Sequence, residues 1–348
     1  MLPENTYSNE LTDFIKSSPT AFHAVASAIT LLKEKGFQPL SEQDSWDRLP
    51  AGRYFVTRND SSLIGFIWQG VRKVQSIQMI GAHTDSPCLK VKPKPIRKKQ
   101  NCLQLGIEVY GGALLRPWFD RELSLAGRVC WHNNTAAGSE KIQSRLIDFK
   151  RPVAIIPNLA IHLNHEANKK QEVNRQTDLI PVLGLTEEDE PDFLNIVEEQ
   201  LSRQYPDLEQ PRITDHELFL YDIAPPALIG LTDQFITSAR LDNLVSCFAA
   251  LHALPSTKSA TTDENCLIIL NDHEEVGSVS SCGAQGSFLR DILERLLPDT
   301  EERQQVLRQS LLISADNAHA VHPNFSDKHD SQHLPLMHNG PVIKLNAN

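Results

Sequence analysis

Three short apolar runs in this sequence each end in residues that bind metals or move protons. Ile77–Ile80 leads into His83 and Asp85, Cys266–Leu270 into Asp272, His273, Glu274 and Glu275, and Leu311–Ser314 into Asp316 and His319. Asp242, in SARLDNLVS, stands just ahead of another apolar segment. Taken singly, each has a bland reading. Adjacent glutamates usually face solvent, because Glu is rarely buried unpaired. An Asp before a helix is most often its N-cap. Repetition at successive run ends shifts the balance. Acids gathered in one crevice repel, and burying them costs several kcal/mol each. A divalent cation removes that conflict, and a mixed imidazole and carboxylate set suits zinc, with manganese or cobalt as alternatives. Two ions about 3.5–4 Å apart need a bridging carboxylate, and a further carboxylate, off the metal, must take the proton of water. Neighbouring glutamates can divide those tasks, with Gly277 letting the backbone turn beside them. In His-Thr-Asp, His83 is expected as a ligand and Asp85 as the partner of its other ring nitrogen.

The elements that must position these groups follow from periodicity. Thr20 is expected to cap a helix whose apolar face carries Phe22, Val25, Ile29 and Leu32, with Gly36 just past its end. Leu63–Trp68, Ile77–Ile80, Cys266–Leu270, Leu311–Ser314 and Pro341–Leu345 read as strands, and Leu244–Leu254 as a helix. Strands alternating with helices predict an α/β fold: a mainly parallel sheet flanked by helices, with the ligand crevice at the carboxyl ends of its strands. After Pro87 the texture changes. LKVKPKPIRKK reads as an exposed edge strand or linker, since Pro removes ladder donors and Lys resists edge pairing. LQLGIEVYGG, SLAGRVCW and PVAIIPNLAIHL are strand-like, RPWFDREL reads as a folded turn, and TEEDEPDFLNIVEEQLSRQ as a helix with a solvated acidic face. The expected organisation is therefore residues 1–91 and 217–348 as one domain, with a strand-rich insert at 92–216.

Composition narrows the function. A net charge of −10 over 348 residues gives no broad positive field for nucleic acid or anionic membranes. No apolar run approaches the roughly 18 residues of a membrane span, and the polar, acidic start does not read as a signal peptide. The six cysteines contain no CxxC pair and read as thiols in a reducing compartment, so the expected location is cytoplasmic.

GAHTDSPCLKVKP, SARLDNL, NDHEEVGS, SADNAHAVHPNFSDKH and GPVIKLNAN, in this order, resemble the aspartyl aminopeptidase family, the M18 metallopeptidases. The resemblance implies a dizinc aminopeptidase fold interrupted by a dimerisation domain, removal of N-terminal Asp or Glu from peptides, and assembly as tetrahedral dodecamers built from dimers. It implies that His83 and Asp316 hold one zinc, Asp242 bridges both, and Glu275 holds the second. Glu274 would be the general base and acid, and Asp85 would orient His83. His319 and Lys344 match substrate-contacting positions. Lys344 is physically apt, because an acidic substrate side chain needs a local cation in a negatively charged protein. His162 resembles a histidine that reaches a neighbouring subunit's site. His322, His329, His333 and His338 read as surface or structural residues.

The family continues beyond VIKLNAN with a pocket tyrosine, a Gly-rich segment and a histidine that completes the second zinc site. On that reading this sequence is a truncated form. Its second zinc would have only Asp242 and Glu275, with weak occupancy, an uncovered apolar strand edge and little or no peptidase activity. Two further readings are a related dizinc hydrolase of other specificity and a non-catalytic subunit that only co-assembles. A purely structural subunit has no physical need for a clustered, repulsive acid set.

Overall fold

The computed structural model describes residues 4–345 apart from 48, 71–73, 135–139, 170–171, 187–190, 209–210 and 257–264. The first residues of the predicted acidic helix segment and the last three of the chain thus lie outside the described residues. Two sheets organise the rest. The first contains β1 (Gln38–Pro39), β2 (Gly52–Arg58), β3 (Ser62–Trp68), β4 (Ile77–His83), β13 (Asn265–Asn271) and β14 (Leu311–Ser314), in the order β1-β2-β3-β13-β4-β14. Its β1–β2, β13–β4 and β4–β14 pairs are parallel, while β2–β3 and β3–β13 are antiparallel. The sheet is therefore mainly parallel, as its alternating pattern predicts.

Strand periodicity divides its side chains between two cores. Leu63, Ile67, Ile268 and Leu270 face α1 (Glu4–Lys16), α2 (Ala21–Glu34) and α4 (Leu241–Ser256) through Ile15, Leu32, Phe248 and Leu251. Ile64, Phe66, Leu267 and Ile269 face α5 (Phe288–Leu296) and α6 (Thr300–Gln309) through Phe288, Ile292 and Val306. Helices on both faces bury β3 throughout, so it reads as one apolar run. Thr20 caps α2, its hydroxyl accepting from the His23 N–H, and Gly36 follows with φ +80°.

The second sheet contains β5 (Cys88–Lys99), β6 (Cys102–Tyr110), β7 (Leu123–Asn134), β8 (Glu140–Asp148), β9 (Val182–Leu185) and β10 (Ile213–Asp222), in the order β8-β7-β10-β5-β6-β9, antiparallel throughout. Its strands run from Cys88 to Asp222 and enclose the 92–216 span. Helix α3 (Phe193–Gln204) packs on it through Phe193, Val197 and Leu201. A short ribbon, β11 (Ala227–Ile229) and β12 (Phe235–Thr237), leads back to the first sheet. Arg128 of β7 ties the two parts together. Its guanidinium lies 4.5 Å from the Phe22 ring centroid and donates to Asn59 and Glu217.

Three expectations are corrected. LKVKPKPIRKK forms β5, inside the sheet between β10 and β6. Its prolines are tolerated because the β6 register shifts between Val91 and Ile96, and β10 pairs only with Leu89 and Lys90. PVAIIPNLAIHL makes only isolated bridges at Ala154, Ile155 and Ile156 and then turns, since two prolines withhold ladder donors. Among the described residues Pro341–Leu345 joins no sheet. The β14 edge keeps Leu311, Leu312 and Ile313 exposed. No helix among the described residues is long and apolar enough to cross a membrane. No disulfide joins any of the six cysteines, and Cys247 and Cys282 are buried.

The α2 start carries a pH dependence. Burial lowers His23 to about 4, with Lys150 and Arg240 adding to the fall and Asp148 opposing it. Between pH 6.5 and 4 the unfolded chain protonates first, so stability is present above this window and falls as pH drops through it; below about 4 both states are protonated and the loss is complete. His23→Gln should reduce the stability lost between pH 7 and 4 by at most about 3 kcal/mol, less in proportion to the ring's remaining contact with water. Parallel urea titrations of both proteins at the two pH values check this, and identical losses would refute it.

Candidate metal centre

Register brings the site together. Asn271 of β13 is abreast of His83 of β4, and Ser314 of β14 is abreast of Gly81. With parallel neighbours about 4.8 Å apart, the residues just past these strand ends have to meet. The ladder continues into the loops: the Thr84 N–H donates to Asn271 O and the Ala315 N–H to Gly81 O, both at 2.7 Å. Asp242 arrives from the start of α4, where its φ/ψ of −84°/108° are not yet helical. Asn243, fully buried, donates to Ala315 O at 2.8 Å and locks α4 against the β14 loop.

The His83 Nε2 lies 3.4 Å from Asp242 Oδ1, 3.7 Å from Asp316 Oδ1 and 3.9 Å from Glu274 Oε2. One ligand atom from each of His83, Asp242 and Asp316 falls within 4.8 Å of the other two. Tetrahedral zinc with bonds near 2.0–2.1 Å separates its ligands by about 3.3–3.4 Å, so this donor set fits one ion with small side-chain adjustments. The other face of the ring is occupied: Nδ1 is 3.3 Å from Asp85 Oδ1 and 3.1 Å from Asp85 O, which leaves Nε2 for the cluster.

Glu274 and Glu275 open a single 3-10 turn, Glu274–Val276, entered through His273 at φ +64° and left through Gly277 at φ +97°. The turn answers how adjacent acids divide. Glu274 reaches toward His83, while Glu275 lies over Gly111, where an added Cβ would stand 3.2 Å from its Oε2. Among the described residues Glu275 joins no set of three closely spaced donors. Asp272, just upstream, is buried, and its Oδ1 accepts from the His273 N–H at 2.8 Å.

The electrostatics are those of a cation site. For His83, burial favours the neutral ring, but Asp85, Glu274 and Asp242 overcome it and carry the pKa to about 9. Burial raises Asp242, and the charge of Asp316 raises it further. Burial lifts Glu275 to about 7, with Asp85, Asp242 and Glu274 adding to the rise against His83. Burial alone would raise Asp85 too, yet hydrogen bonds from His83 and Tyr110 hold it below the ordinary carboxylate range.

The remaining expected residues lie outside this cluster. His319 is exposed, 5.6 Å ring to ring from His329. Lys344 is exposed and reaches Asn317 O at 3.5 Å, beside the Asp316 loop. His162 sits in an exposed turn, with no ion pair or metal-type set among the described residues. His322, His333 and His338 are exposed, and His333 pairs with Asp330 at 3.0 Å. RPWFDREL is a folded turn through a 3-10 helix at Arg116–Trp118. It also lines a cavity of about 740 Å³ behind Asp85, with Cys88, Tyr110, Phe219 and Arg240. Sequence reasoning missed Tyr110 and Asn243. Tyr110 stands in LQLGIEVYGG, where the paired glycines at a strand end were the available signal of a close approach.

A mixed sheet with helices on both faces, and an imidazole–carboxylate cluster at its strand ends, is the architecture of an α/β metal-dependent hydrolase. The chain belongs to the family described as "Aminopeptidase I zinc metalloprotease (M18)", whose model matches residues 14–348. It is 53% identical over 340 residues to "Probable M18 family aminopeptidase 2" of Pseudomonas entomophila (strain L48), covering 97% of this chain and 77% of that protein. The protein of the same description from Stutzerimonas stutzeri (strain A1501) is 52% identical, with the same coverage. A chain in the cryo-EM structure of the Ape4 and Nbr1 complex superposes with a TM-score of 0.92 at 35% identity, covering 99% of this chain and 69% of that one. The crystal structure of prApe1 gives 0.84 at 27%, covering 95% and 73%.

Asp316→Asn should weaken zinc binding by more than about a hundredfold, since a direct ligand outweighs a supporting partner. Chelator competition reads the change. An affinity within twofold of the parent would place the ion elsewhere.

Proposed function

We propose that this M18 aminopeptidase releases N-terminal acidic residues, Asp or Glu, from peptides, with zinc as the resident metal and manganese or cobalt as substitutes. The observation that carries the reading is the His83–Asp242–Asp316 set with the Glu274 carboxylate standing beside it. The proposed full site holds two ions, with Asp242 shared and Glu275 on the second. When bound, divalent ions supply Lewis acidity to the scissile carbonyl and make water acidic enough to attack near neutral pH. The chain's residues do the rest. Glu274, half exposed on its turn, takes the proton of the attacking water and returns it to the leaving amine. Asp85 fixes the His83 ring so that Nε2 faces the ions. Lys344 and His319 supply positive charge and hydrogen bonds for the acidic side chain beside the Asp316 loop.

Only Asp242 and Glu275 are assigned to the second ion, so it is proposed to bind more weakly than the first. A homo-oligomer completes the picture. A solved neighbour at 26% identity is the S. cerevesiae mApe1 dodecamer. By analogy, dimers of this chain would build a tetrahedral dodecamer, with His162 reaching a neighbouring subunit's site from its exposed turn. Leu159, Ile161 and Leu163 around it are exposed apolar residues of the kind an interface covers. Cysteines without disulfides suit the cytoplasm.

Two variants test the assignments at saturating zinc. Glu274→Gln should keep its zinc content and lose about 10²–10⁴-fold in kcat. Lys344→Met should lose at least about tenfold in kcat/KM on Asp- and Glu-amides and spare a Leu-amide, as removal of a charged partner predicts. Equal losses on all three substrates would remove acidic specificity from the reading.

A further inference from the structure

The carboxylate of Asp85 has four donors, and one comes from the other sheet. Its Oδ1 faces His83 Nδ1 at 3.3 Å and accepts from the Glu274 N–H at 3.2 Å. Its Oδ2 accepts from the Glu275 N–H at 3.1 Å and from the Tyr110 hydroxyl at 2.7 Å. Tyr110 is the last residue of β6, and its ring stands edge-on to Phe219 of β10 with centroids 6.1 Å apart. The next residue, Gly111 at φ +71°, passes so close to the Glu-Glu turn that a Cβ there would lie 2.9 Å from Glu275 Cβ.

We infer that Tyr110 is a positioning residue for the metal centre, holding Asp85 through Oδ2 so that the His83 ring presents Nε2 to the ion. Three of the four donors belong to the metal cluster's own surroundings: His83 ends β4, and the two amides lie in the Glu274–Val276 turn after β13. The phenol is anchored elsewhere, in a strand paired along its length with β5, so it gives the carboxylate a fixed external reference. Without the hydroxyl, Asp85 keeps its charge but loses its shortest hydrogen bond, and with only the two longer turn amides and His83 left its soft terminal torsion is held less tightly. The ring of His83 then loses its fixed partner, and a ligand held by such a partner is better ordered and more basic. Gly111 serves the same junction by leaving room for Glu275.

The inference rests on the metal-centre reading, and the experiment separates the two. Zinc affinity by chelator competition, the visible spectrum of the cobalt-loaded chain and the melting temperature of the metal-free chain are measured for the parent, Tyr110→Phe and Phe219→Leu. Tyr110→Phe should weaken zinc binding about 10–100-fold, alter the cobalt bands, lower kcat with KM within twofold, and leave the metal-free melting temperature in place. Phe219→Leu, which loosens the ring but keeps the hydroxyl, should stay within twofold of the parent in zinc affinity. Parent-like affinity in Tyr110→Phe, an equal loss in Phe219→Leu, or failure of Tyr110→Phe to fold would each overturn the inference. A parent that binds neither ion would sink the metal-centre reading and this inference with it.

Discussion

Three parallel strands that end abreast decide the chemistry of this molecule. Once β13 and β14 pair with β4 in the observed register, their following residues are delivered to one place, and those residues are acids and an imidazole. Water cannot relieve the resulting repulsion as fully as it would in an open loop, because His83, Asp85 and Asp272 are buried. Burial first, and the neighbouring carboxylates after it, raise Asp242 and Glu275 above ordinary carboxylate values. A site that strains against its own charge is poised to accept a cation, which is the general logic of metal-ligating clusters.

Rigidity around the cluster comes from backbone contacts as much as from side chains. The Thr84 and Ala315 amides extend the β ladder past the strand ends, and Asn243 fastens the α4 entry to Ala315 O. Cys247 donates to the carbonyl of His83 at 3.0 Å, so even the main chain of the cluster's imidazole is held from behind. Such support matters because a donor set spread by a few tenths of an ångström still binds an ion, whereas one spread by an ångström does not.

Much of this was legible in the residues. The apolar runs from Leu63, Ile77, Cys266 and Leu311 predicted their strands, and Thr20 and Gly36 marked the limits of α2, because these signals are local. His83, Asp316 and Glu274 were recognisable as candidates since they follow apolar run ends, and Asp242 as an acid just ahead of a helix; the strand register and the entry to α4 then explain how they meet. The Pro-rich β5 was misread as an edge. Its register shift depends on β6 and β10, which lie far along the chain, and no local pattern announces it. Pro341–Leu345 was misread for the converse reason: apolar alternation makes a strand only where a partner ladder exists. Tyr110 escaped notice because a single tyrosine at a strand end carries no periodic signal, and its partner is in another sheet.

The three candidate metal donors stand at positions 83, 242 and 316, each carried by a different element of the first sheet's half, and the second sheet is threaded between the first two. Loop closures over such separations are entropically slow and gain nothing until they are complete. The candidate donor set therefore requires the pairing of β14 with β4. A chain in which β14 has not paired with β4 holds the same imidazole and carboxylates apart, so the three-donor set is a property of the completed sheet and of no local segment.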